Sequence, residues 1–175
     1  MAFGQPRRLE RDDLREYGMK LLSGRALTAS EFRDKLRRRA ADLGDIDGII
    51  LQLKEYGALN DQTYAEHFAE TRAGSGNFGK QRVVSDLMRK RVAPKLAEKA
   101  VSDAFSGTNE VEMVQLWLAR KYRGKDLGTL LREPSKLASV FRRLRMAGFS
   151  SGPSIQVLKR FAAEAEQLEG MDEEG

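Results

Sequence analysis

Residues 74–80 place Gly74, Gly79 and Lys80 with the spacing of a loop that cradles nucleotide phosphates. That pattern requires Ser or Thr next, to hold magnesium, and Gln81 stands there. It also requires a buried strand in front, whereas residues 67–72 read as helix, so the stretch reads as a loop between helices. His67 is the single histidine and there is no cysteine, so a metal site would have to be built from carboxylates; His67 reads as a helix-surface residue. The carboxylate pairs Asp12/Asp13 and Asp45/Asp47 fall at helix starts, where negative charge favours the helix dipole. Ser150 and Ser151, before Gly152 and Pro153, read as a cap rather than a nucleophile. Tyr64, Phe68, Trp117 and Tyr122 could stack on exposed bases, but their helical spacing places them in a core; Tyr122 is set apart by Lys121 and Arg123 on either side. With no base, nucleophile or ligand set assembled, the reading is a binding protein rather than an enzyme, with no cofactor implied.

The chemistry that recurs is cationic. Phe32 and Leu36 precede Arg37, Arg38 and Arg39; Val83 and Leu87 precede Arg89, Lys90 and Arg91; Val140 and Leu144 are flanked by Arg142, Arg143 and Arg145. An apolar pair four residues apart marks one helix face, and the adjoining basic cluster reaches solvent. The three leucines stand 51 and 57 residues apart, which is a helical-repeat period. One basic cluster is an ordinary solvated face. Three at matching repeat positions point to a large acidic partner, because solubility does not require equivalent placement.

Composition agrees. Charged residues make up 33% and hydrophobic residues 41% of 175, with 7% aromatic, and Leu, Ala, Arg, Lys and Glu outnumber Val and Ile, a mix that favours helix over sheet. The net charge of +5 hides an asymmetry: residues 164–175 hold six acids and no Lys or Arg. Residues 1–163 therefore carry 31 cationic against 20 acidic side chains, a balance of +11, which suits a polyanion. Residues 1–9 contain no apolar run and no stretch approaches a membrane span, so neither a secretory leader nor a membrane anchor is expected, and a cytoplasmic location is.

These cations must be positioned by helices. Leu14, Tyr17, Leu21 and Leu22 share one face; Thr28 and Glu31 form a capping box before Phe32; Asp45 is placed to cap Ile46, Ile49, Ile50 and Leu53. Asn60 caps a helix with Tyr64, Ala65, Phe68 and Ala69 inward, and Val83, Val84, Leu87 and Met88 form a stripe on the next. Pro94 opens a sixth helix, Asn109 and Glu112 box a seventh, and Pro134 opens an eighth that stops at Gly148. Pro153 opens a ninth, with Ile155, Leu158, Phe161, Ala162 and Ala165 inward. The expectation is an all-α chain of tandem three-helix repeats, about nine helices in an elongated, curved arrangement. The repeats would span 12–58, 59–107 and 108–163, with a disordered lead over 1–11, an acidic tail over 164–175, and bending at residues 74–79 and 106–107.

Leu59-Asn60-Asp61, Tyr64-Ala65, Phe68, Arg72, the Gly-rich loop, Gly79-Lys80-x-Arg82 and Leu87 form an ordered string. It resembles the signature of the RecX family of bacterial recombination regulators, and Leu144, Gly148-Phe149-Ser150, Ile155 and Leu158 resemble that family's C-terminal repeat. The resemblance runs over about residues 12–163. It departs where the family usually has Gly after the basic cluster: Arg91-Val92 stands in the middle repeat and Arg39-Ala40 in the first, so those helix ends are expected to close differently. The resemblance implies a protein that binds the RecA recombinase filament on DNA, lies along its groove, and lowers ATP hydrolysis and strand exchange.

The candidate contact residues are Lys80, Arg82, Arg89, Lys90 and Arg91 of the middle repeat, Arg142, Arg143 and Arg145 of the third, and Lys35, Arg37 and Arg38 of the first. They would meet DNA phosphates, independent of sequence, or acidic filament surface, with the chain acting as a monomer. A stand-alone helix-turn-helix DNA-binding protein, reading bases with the helices around residues 91–94, is the alternative; the mostly apolar helix after Pro94 counts against it.

Overall fold

The computed structural model describes residues 8–163, 165 and 168; most of the acidic stretch and the first seven residues lie outside them. Among the described residues there are ten α-helices and no strand. In chain order they are α1 (Arg11–Gly24), α2 (Ala29–Arg37), α3 (Asp45–Glu55), α4 (Asp61–Ser75), α5 (Lys80–Arg89), α6 (Pro94–Ala104), α7 (Glu110–Lys121), α8 (Leu127–Leu130), α9 (Pro134–Met146) and α10 (Ser151–Leu158). Apart from the four-residue α8, these are three successive helical triplets. The apolar pairs Phe32/Leu36, Val83/Leu87 and Val140/Leu144 sit on the middle helix of each triplet, α2, α5 and α9, and all six side chains are buried.

The helix starts follow local chemistry. Thr28 and Glu31 make both halves of the capping box, Asn60 Oδ1 accepts from the N–H groups of Gln62 and Thr63, and Asn109 accepts from Val111 and Glu112. Two starts and two inward assignments differ from expectation. Asp45 is the first residue of α3 rather than its cap, so its carboxylate meets the dipole without a capping bond. α10 begins at Ser151, which makes Pro153 its third residue, where a missing N–H still costs no helical bond. Met88 and Phe161, expected inward, are exposed: Met88 lies one residue past the buried Leu87, and Phe161 lies beyond the end of α10, where its helical period no longer applies. α8 has no counterpart among the expected helices, since four residues cannot display a period; Asp126 creates it by capping Gly128 and Thr129.

The chain divides into two compact units, Met1–His67 with Leu87–Ala97, and Phe68–Asp86 with Glu98–Gly175. In the first, α1, α2 and α3 enclose Leu14, Phe32, Leu36, Ile46, Ile49 and Leu53, and Leu9 pairs with Ala40 in an isolated parallel bridge. In the second, α7, α9 and α10 enclose Val114, Leu118, Leu137, Phe141, Leu144, Phe149 and Leu158. Trp117 lies edge-on to both Tyr122 and Phe149, so Trp117 and Tyr122 are core, as their spacing predicts, whereas Tyr64 and Phe68 are only half-buried.

Candidate nucleic-acid interface

The cations are positioned by two joints that repeat one design. In the first unit, the Thr28 hydroxyl at the start of α2 donates to the carbonyl of Lys90 at the end of α5, 3.0 Å away. In the second, the N–H of Gly79 at the start of α5 donates to the carbonyl of Ala147 at the end of α9, 2.8 Å away. The repeat offsets of 51 and 57 residues map Thr28 onto Gly79 and Lys90 onto Ala147.

The helix ends that supply these carbonyls also match. Val92 N–H donates to Leu87 O and Arg91 N–H to Met88 O; Phe149 N–H donates to Leu144 O and Gly148 N–H to Arg145 O. Both pairs are the two bonds of a Schellman closure, with buried Val92 and Phe149 lying beyond buried Leu87 and Leu144. The closure needs a left-handed residue at its turn, supplied by Gly148 at φ +94° and by Arg91 at φ +59°. The missing glycine in the middle repeat therefore leaves the closure unchanged, contrary to expectation, and Arg91 takes on the strain. In the first repeat the end does differ: Ala40 N–H returns to Leu36 O, and Ala41 N–H donates to Leu9 O without any left-handed residue at Arg39.

The first joint consumes charge. Lys90 Nζ lies 3.0 Å from Glu31 Oε1 and 5.8 Å from the Tyr64 ring centroid, and Glu31 also accepts from Thr28 N–H. Arg91 binds Asp34 at 3.1 Å and Ser30 at 2.9 Å. The bond from Glu31 raises the Lys90 pKa against the opposing effect of burial. For Glu31, burial pulls upward, but the Lys90 ammonium and Thr28 N–H outweigh it and hold the carboxyl below its usual range. Asp61, the acid of the Leu59-Asn60-Asp61 string, accepts from Ala29 N–H and secures the start of α2.

The second joint gathers cations instead. A Cβ on Gly79 would collide with Gly148 O, and one on Gly148 would collide with Arg82 N, so backbone meets backbone here. Lys80 and Arg82 flank this contact, and Arg145 reaches across to Gln81 Oε1 at 3.2 Å and to Phe149 O. Arg82 is partly neutralised by Asp86 at 3.0 Å. Lys80 and Arg142 are exposed and form no ion pair among the described residues; Arg143 donates to the Tyr122 hydroxyl at 3.3 Å. Arg89 is exposed on α5. In the first repeat Arg37 and Arg38 are exposed and Lys35 half-buried, while the neighbouring Arg39 turns inward over the Tyr17 ring.

The loop after α4 is fastened rather than loose. α4 extends through Gly74 and Ser75, Arg120 donates to the carbonyls of Ser75 and Gly76, and Arg72 lies over both Phe68 and Phe78. A helix therefore precedes Lys80, not the strand a phosphate loop needs. Two exposed cations outside the repeat positions, Lys121 and Arg123, adjoin Tyr122 and through its hydroxyl the Arg143 guanidinium. Repeat spacing could not find them, because they lie at the end of α7, the first helix of its triplet, and not on a middle helix. Among the described residues no cluster of three His, Cys, Asp or Glu is placed to hold a metal, and no helix is long and apolar enough to cross a membrane.

Residues 60–101 match the family model described as RecX, second three-helix domain. Over nearly the whole length, the chain is 27% identical to the regulatory protein RecX of Streptomyces lividans, covering 98% of this chain and 90% of that one. The chain is similar to RecX-family proteins. The regulatory protein RecX of Syntrophotalea carbinolica is 25% identical across 83% of this chain and 94% of its own. The RecX crystal structure from Lactobacillus salivarius shares the fold, with a TM-score of 0.66 at 23% identity over 87% of this chain and 97% of that chain. These RecX relatives are named as regulatory proteins.

Proposed function

We propose that this chain acts as a RecX-type regulator, binding the RecA recombinase filament on DNA and lowering its ATP hydrolysis and strand exchange as a cofactor-free cytoplasmic monomer. The single observation that carries the reading is the cationic surface around the Gly79–Gly148 contact and α9. There Lys80 and Arg142 form no ion pair among the described residues, and Arg143 meets a phenol hydroxyl. These side chains, with Lys121 and Arg123 beside Tyr122, suit phosphate oxygens, whose recognition needs charge and reach but no base-edge complementarity. Arg82 and Arg145 border the same contact. Lys35, Arg37, Arg38 and Arg89 are the cationic candidates of the first unit. Lys90 and Arg91 support the reading indirectly, by holding α5 to α2 through Glu31 and Asp34.

Titrating assembled filament with the chain and following ATP turnover tests the proposal; falling turnover is expected, and unchanged turnover at saturation overturns it. Comparing filament, bare single strand and bare duplex at two salt concentrations separates protein from phosphate contact. Sequence-selective duplex binding without recombinase would favour the helix-turn-helix alternative. Against that alternative, α6 exposes Lys95, Glu98, Lys99, Ser102 and Asp103, with Lys99 bound to Asp103, and offers base edges no Asn, Gln or Arg.

A further inference from the structure

Between α1 and α3 of the first unit runs an open groove of about 590 Å³, lined by Arg15, Met19, Leu22 and Ser23 from α1, Gln52, Leu53 and Tyr56 from the end of α3, and Ala58. The α1 residues recur at i, i+4, i+7 and i+8, so they form one continuous face over two helical turns, roughly 12 Å long. Met19 and Tyr56, on opposite walls, leave 55% and 75% of their surface in water. Apolar side chains facing each other across such a space, unfilled by the chain's own core, are what a partner's side chains would cover.

We propose that this groove docks an amphipathic helical segment of a partner protein, two apolar side chains seating between Met19, Leu22, Leu53 and Tyr56 and one carboxylate meeting Arg15. Arg15 decides the partner's chemistry. It is the only charged side chain in the lining, it stands at one end of the apolar face, and it pairs with no carboxylate among the described residues. A helix two to three turns long matches the length of the α1 face and the familiar mode of helix-in-groove recognition. Nucleic acid fits poorly, since one cation among apolar walls cannot follow a phosphate backbone. The groove shares no residue with the cationic set assigned to phosphate above, so the two proposals are tested by different substitutions.

The test uses the full chain and two fluorescent helical peptides of about 16 residues, read by anisotropy. They are identical in a Leu/Phe stripe at i, i+3 and i+7 but end in Glu or Lys. The Glu peptide is expected to bind about fivefold more tightly than the Lys peptide, and Arg15→Glu to reverse that order. Met19→Gln with Tyr56→Ser should weaken both peptides about thirtyfold at unchanged helical signal. Equal affinity for the two peptides overturns the proposal, as does binding indifferent to the Met19/Tyr56 pair. A groove whose substitution abolishes self-association or oligonucleotide binding instead of peptide binding also overturns it.

Discussion

The wholly buried hydroxyl of Thr28 donates to the main-chain carbonyl of Lys90, 3.0 Å away and 62 residues along the chain. The same hydroxyl accepts from Glu31 N–H, and Glu31 in turn holds the Lys90 ammonium, so one threonine ties a helix start, a helix end and an ion pair together. Thr28→Val keeps the shape, removes both bonds and leaves buried partners unsatisfied; a loss of about 1–3 kcal/mol in denaturant unfolding is expected.

The ion pair gives this joint a defined pH window. Glu31 has a lowered pKa, so its contribution is complete above its ordinary value of 4.5 and disappears as pH falls through the lower folded value. Lys90 has a raised pKa, so its contribution is complete below its ordinary 10.5 and disappears as pH rises through the higher folded value. Glu31→Gln should therefore cost about 1 kcal/mol at pH 7, and the gap from the parent protein should close as the medium is made strongly acidic. Thermal unfolding across pH checks both limbs; a gap that widens in acid contradicts the pairing.

Arg91 can be relieved of its strain. Arg91→Gly removes a left-handed penalty of about 1 kcal/mol and sacrifices an exposed pair with Asp34 worth less than that. Its melting temperature should hold or rise. Arg91→Val loses the pair and places a β-branched residue at φ +59°, so its melting temperature should fall.

Gly79→Ala forces a methyl group into the Gly148 carbonyl and should destabilise the second unit by about 1–3 kcal/mol or more. Gly74→Ala lies in α4 with open space around it and should be neutral or stabilising by up to about 1 kcal/mol. Equal effects from the two would mean that the backbones at Gly79 and Gly148 do not touch.

For the cations, Arg142→Glu with Arg143→Glu is expected to weaken filament and DNA binding with helical signal intact. It should also flatten the salt dependence, lowering the log–log slope by about 0.9 for each duplex phosphate that is no longer neutralised. Lys90→Glu should instead lower stability, since it sets two carboxylates against each other beside Thr28.

The helical triplets were legible because Phe32/Leu36, Val83/Leu87 and Val140/Leu144 carry their own period, and because Thr28, Asn60 and Asn109 announce helix starts with their side chains. The cationic candidates were legible by type and not by use. Arg82, Lys90 and Arg91 look alike in sequence to Arg142, yet meet Asp86, Glu31 and Asp34 through folding, and two of those acids lie more than fifty residues away. Gly79 was legible as a loop residue but not as a contact, since only its distant neighbour Gly148 explains why no side chain fits. Lys121 and Arg123 escaped because repeat position was the search rule.

The first compact unit borrows residues 87–97 from beyond a stretch, residues 68–86, that belongs to the second. A ribosome building this chain releases α1, α2 and α3 while the hydroxyl of Thr28 still lacks its acceptor and Glu31 its ammonium. The earliest bundle must wait, half-latched, until α5 has been synthesised and swings back to fasten it.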